Sequence, residues 1–187
     1  MWAVSWRELE GRTVRFGREK NEQRRKKDLE GSLEALRREA AEAQASGDAL
    51  AEAIAYNNIG TVQCDLKQFE AALESYLKSA ELVPDSATLD EKLTPWGNAA
   101  AVARRLDQWV DATVYSLRVD ALATAADDAQ QQEVATMMMA LVRKHYGKKN
   151  FAEPLDEAIA LLPEDLRAHV RRDLHADPTF RRDAEEK

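Results

Sequence analysis

One cysteine leaves no partner for an intrachain disulfide, so Cys64 excludes the disulfide-stapled scaffolds of small secreted domains. Five prolines and seven glycines are too few to punctuate a succession of short strands and tight hairpins. No run approaches the ~18 consecutive apolar residues of a membrane span. The opening MWAVSW is shorter than a signal-peptide core and has no basic residue before it. Together these absences make a reducing cytoplasm the expected location, with no membrane partner. Chemistry is sparse as well. The three histidines, His145, His169 and His175, have no metal-ligand spacing to another His, Cys or carboxylate. No glycine-rich phosphate loop occurs, and Cys64 falls within a predicted helix without a base to activate it. The expectation is a non-enzyme with no cofactor and no metal site.

What is present favours helices. Alanine, leucine, glutamate and arginine dominate a chain that is 44 % hydrophobic, enough for one sizeable core or one short solenoid. The net charge of −7 is unevenly divided: residues 1–31 hold nine Lys/Arg against six Asp/Glu, a balance of +3 that leaves −10 for the rest.

A period organises the chain. KDLEGSLEALRREA from Lys27 aligns with KQFEAALESYLKSA from Lys67, DQWVDATVYSLRVD from Asp107 and KNFAEPLDEAIALL from Lys149. The anchors Leu29, Phe69, Trp109 and Phe151 are spaced by 40, 40 and 42 residues. Each copy carries an apolar stripe at helical spacing, such as Leu29, Leu33, Leu36 and Ala40, or Phe69, Leu73, Tyr76, Leu77 and Ala80. Ahead of three copies lies a first helix, read through Tyr56, Ile59, Gly60 and Gln63, through Trp96, Ala99, Ala100 and Ala103, and through Met138, Leu141, Val142 and His145. Gly60, Ala100 and Val142 then match, and Gly60 is expected to permit a close approach of two backbones.

In AYNNIGTVQCDLKQFEAALESYLKSAELVP the positions of Tyr56, Ile59, Gly60, Phe69, Ala72, Tyr76 and Pro84 fit the signature of the tetratricopeptide repeat, and the chain resembles a long-period variety of that family over residues 27–163. The second copy keeps Trp96, Ala100, Trp109 and Ala112, whereas the third has Val142 and Pro154 where the pattern asks for a small residue and an alanine. The resemblance implies an all-α, right-handed solenoid of antiparallel helix hairpins over residues 27–175, with clear hairpins at 49–83, 91–124 and 128–162 and a capping helix at 164–175. Residues 1–26 form a basic leader carrying a degenerate first helix, and 176–187 a tail. Thr94 before Pro95 predicts a kink or a fresh helix start.

The resemblance also implies where a partner protein would bind. First helices line a concave groove in that family, so the candidate contacts are Asn57, Asn58, Thr61, Asn98, Arg104, Arg105, Met139, Arg143 and Tyr146, with Met138 in the core and Met139 facing the groove. An Asn57/Asn58 to Asn98 ladder could hold a peptide backbone, or it could simply bridge neighbouring helices. The arginines would add carboxylate or phosphate recognition. The family's clamp for acidic chaperone tails requires a lysine and an asparagine on one inner helix, an asparagine on the next and a lysine/arginine pair on the third, where this chain has Asn57 and Thr61, then Asn98, then Thr136 and Met139, so that mode is not expected. The expected function is a partner-binding scaffold. Two alternatives stay open: self-association, with Trp2 and Trp6 as a possible second contact, and nucleic-acid association through REKNEQRRKK, which its interleaved glutamates and the acidic body disfavour.

Overall fold

The computed structural model describes residues 6–147, 152–164, 166, 167 and 170, with side chains described from residue 21 onward and, after 147, for 154–164, 166, 167 and 170. Trp2, Phe151, His169, His175, the tail at 176–187 and most of the expected capping helix therefore lie outside the described residues, as does the side chain of Trp6. Seven helices are described: α1 (Trp6–Ser46), α2 (Ala49–Asp65), α3 (Phe69–Leu82), α4 (Leu89–Arg105), α5 (Trp109–Ala125), α6 (Ala129–Tyr146) and α7 (Ala152–Leu161).

Local chemistry sets the boundaries. The turns after α1, α2, α4 and α5 share one design, with a left-handed residue followed by the residue that starts the next helix. The left-handed positions are Gly47, Lys67, Asp107 and Asp127. In each turn the following amide donates to the carbonyl five residues back: Asp48 to Ala43 (3.0 Å), Gln68 to Gln63 (2.9 Å), Gln108 to Ala103 (2.9 Å) and Asp128 to Ala123 (3.1 Å). Asp48 and Asp128 then cap α2 and α6 by accepting from backbone N–H groups in the first turn. Thr88 and Glu91 form a reciprocal capping box on α4. Helix α4 continues through Pro95, so no fresh helix starts there. Pro95 comes soon after this strong cap, so its missing N–H leaves unserved a carbonyl of the first turn, that of Glu91.

Consecutive helices pack in pairs: α1 on α2, α2 on α3, α3 on α4, α4 on α5 and α5 on α6. The core runs through the stack as successive clusters. Leu33 and Ala40 meet Ala55 and Ile59; Leu73 and Tyr76 meet Ala99 and Val102; Leu93 and Val119 meet Ala135. The largest cluster joins Leu117, Met139, Val142, Leu155, Ile159 and Leu162, and Val170 beyond Pro163 is buried in it. This arrangement is an all-α helical repeat.

Three expectations need correction. The degenerate amino-terminal hairpin is instead one continuous 41-residue helix, because no left-handed turn and cap of the Gly47–Asp48 type interrupts it. Residues 21–28 of α1 are exposed, and burial begins with the half-buried Leu29 and the buried Leu33. Second, among the described residues α7 packs chiefly on α5 and meets α6 through the shared core around Met139 and Val142 rather than along its length. Third, α2, α4 and α6 begin 40 residues apart, at Ala49, Leu89 and Ala129, so the two extra residues of the third copy fall in the connection between Tyr146 and Ala152. In that register Met139 stands where Ile59 and Ala99 stand, and it is buried, 8 % exposed, rather than facing a groove.

Candidate functional site

The first helices α2, α4 and α6 lie side by side, joined by two polar bridges with the same sequence separation of 41 residues. Asn98 Nδ2 donates to Asn57 Oδ1 at 2.9 Å, linking α4 to α2. Gln131 Nε2 donates to Asp90 Oδ1 at 3.0 Å, linking α6 to α4. Asn57 and Asn98 therefore bind each other, the bridging role of the two left open by the sequence. Asn58 is exposed. Thr61 is exposed too, its hydroxyl donating to the Asn57 carbonyl at 3.1 Å and lying 3.2 Å from the Tyr76 hydroxyl.

Beneath this edge, Gly60 makes room for a ring rather than for a backbone. A Cβ at Gly60 would lie 2.7 Å from Tyr76 Cε1, so the close approach is to a side chain of α3. The Tyr76 phenol is pushed up to about 12, chiefly by burial. Its hydroxyl also donates to Cys64 Sγ at 3.8 Å. Cys64 is thus packed in the α2–α3 interface.

The charged candidates are not gathered at this site. Arg104 and Arg105 close α4, about 10 Å beyond Asn98 along the helix axis, and Arg105 lies 5.4 Å from the centre of the Phe69 ring. Arg143 and Tyr146 are half-buried in the last turns of α6. The Tyr146 phenol is raised by burial first and by the charge of Glu157 second. His145 stacks on Trp109, ring centres 3.6 Å apart. Arg118 covers the Trp96 ring at 4.3 Å.

The sequence reading missed an apolar cleft of about 170 Å³ between α2 and α4. Leu50, Ile54, Val83 and Pro95 form its greasy lining, Asn57 one wall, and Asp90 with Glu91 an acidic rim. Ile54 is 45 % exposed over this opening. The Glu91 carboxylate accepts from the Thr88 hydroxyl and amide, which holds it ionised below the usual carboxylate range. Ser79 donates to the Ala53 carbonyl at 2.7 Å and so closes the floor. Also missed was the exposed face of α6, where Val134, Met137 and Leu141 are 37 %, 56 % and 46 % exposed. The 40-residue interval was the available signal, since it aligns Ile54 with Thr94 and Val134, and Asn57 with Met137.

Among the described residues no cluster of three or more His, Cys, Asp or Glu could hold a metal ion. Among the described residues no helix is long and apolar enough to cross a membrane. No family model, curated protein or solved structure matches the chain. The packing of consecutive helices and the 40-residue interval define the class: an all-helical repeat protein.

Proposed function

We propose that this chain is a non-catalytic protein-interaction scaffold that holds an apolar anchor of a partner protein in the cleft between α2 and α4. The tetratricopeptide resemblance of residues 27–163 supports a binding role for the first helices, and one observation carries the choice of site. The exposed Ile54 stands over an apolar cleft of about 170 Å³ that two neighbouring first helices share. That volume compares with the ~150 Å³ engineered cavity that takes up benzene, so one large aliphatic or aromatic side chain fits. The acidic rim selects a lysine or arginine beside the anchor. Asn57 supplies a polar group for the peptide backbone.

A randomised peptide library panned against the full chain tests this reading. Selected peptides are expected to share a large apolar residue next to a basic one, and Ile54→Glu, at a half-exposed position, should weaken their binding at least ~10-fold, about 1.4 kcal/mol. Peptides that bind the variant equally well would place the contact elsewhere.

A further inference from the structure

The exposed side of α6 carries an apolar stripe. On an 18-residue helix, Val134, Met137, Ala140 and Leu141 fall within about 60° of one another's centre line at Met137. This stripe is opposite the buried face formed by Ala135, Met139 and Val142. Ala140 is exposed, whereas its counterparts Gly60 and Ala100 are buried, Gly60 against Tyr76 of α3. The cause is the displacement of α7 onto α5, which leaves this side of α6 uncovered by the described elements.

Two features identify the occupant. The midpoint of α6 lies between Met137 and Met138, and the two outer aliphatic residues of the stripe are symmetric about it: reversing the helix end for end exchanges Val134 with Leu141 and brings Met137 within one residue of its own image. The charge is antisymmetric about the same point. Asp127, Asp128 and Glu133 lie at the amino-terminal end and Arg143 and Lys144 at the carboxy-terminal end. A parallel neighbour would set like charges together. An antiparallel copy sets Glu133 beside Lys144 of the second copy, twice by symmetry, and opposes the helix dipoles.

We infer that α6 is a self-association helix, pairing antiparallel with α6 of a second copy around Met137. The pairing places Val134 against Leu141 of the second copy and leaves the α2–α4 cleft open. A contact of one helix pair falls at the small end of specific interfaces, so the association is weak and reversible, in the micromolar range or above.

The test is analytical ultracentrifugation of the full chain from micromolar to near-millimolar concentration. The average mass is expected to rise toward twice the monomer, and Met137→Glu should move the dissociation midpoint up at least ten-fold with an unchanged far-UV circular dichroism spectrum. Glu133→Lys and Lys144→Glu should each weaken the dimer several-fold, and combining them in one chain should restore it. Ile54→Glu should dimerise like the unaltered chain, so failure of the cleft reading and failure of this one are separable. A chain that stays monomeric throughout, as it would if its own carboxy-terminal segment or a different protein covered α6, overturns the inference. So does a dimer that is indifferent to Met137→Glu, or a charge swap that fails to rescue.

Discussion

Gly60 shows how one residue is read correctly for its size and incorrectly for its neighbour. Glycine inside a helix costs about 1 kcal/mol relative to alanine, and the cost is accepted because the Tyr76 ring occupies the space of a Cβ. Tyr76 cannot easily swing aside, since its hydroxyl is engaged with Thr61 and Cys64. Gly60→Ala should therefore destabilise the protein by about 1–3 kcal/mol despite the better helix former. Gly97→Ala, where nothing lies within 4 Å of the new methyl, should stabilise it by up to ~1 kcal/mol. Urea unfolding of the two variants checks the pair, and shifts of the same sign would dismiss the steric account. The sequence could show that a small residue was needed, but not whether a ring or a backbone fills the room. Asn57 and Asn98 have the same ambiguity: an amide suits a peptide or a neighbouring helix equally, and the 2.9 Å bond between them is a tertiary fact.

At the scale of the element, helices and their apolar stripes were legible because 3.6-residue periodicity survives without tertiary information. Leu33, Ala40, Leu73, Tyr76, Leu155 and Ile159 are buried as their spacing required. Register was the weak point. The apolar run Met137–Met139 offers no polar residue to mark its exposed side, and anchoring α6 on Phe151 carried the two extra residues into the wrong element. The turns were missed for another reason: Lys67, Asp107 and Asp127 are left-handed without being glycine. A left-handed conformation costs a side-chain-bearing residue roughly 1–2 kcal/mol, offset in part on substitution by the greater freedom of glycine in the unfolded chain. Lys67→Gly, Asp107→Gly and Asp127→Gly should each raise stability by about 0.5–1 kcal/mol, roughly additively because the turns are separate. Thermal unfolding of the triple variant measures this, and a lowered midpoint would mean that these side chains contribute more than the strain they carry.

For the whole molecule, the repeat was legible from its period, and the two departures from regularity were not. Both depend on packing partners: α1 continues for lack of a turn, and α7 settles on α5 rather than closing on α6. The exposed stretch 21–28 gives α1 a portion that contributes little burial. Alanine substitutions across residues 21–26 should then leave the unfolding free energy measured in urea within the ±0.5 kcal/mol expected of surface changes. A larger loss would show that this part of the helix has a partner within the fold.

The two bridges spanning 41 residues carry a consequence for biosynthesis. α4 and α6 each find a polar partner about one repeat earlier in the chain, and the apolar surface that receives them has already left the ribosome. At about 5–20 residues per second, a repeat emerges every few seconds, far longer than a helix needs to form. The nascent chain can therefore add one layer at a time onto a finished surface, with little unsatisfied greasy area shown to chaperones at any moment. The last layer is the exception, because α6 leaves the tunnel without a close second helix to cover it.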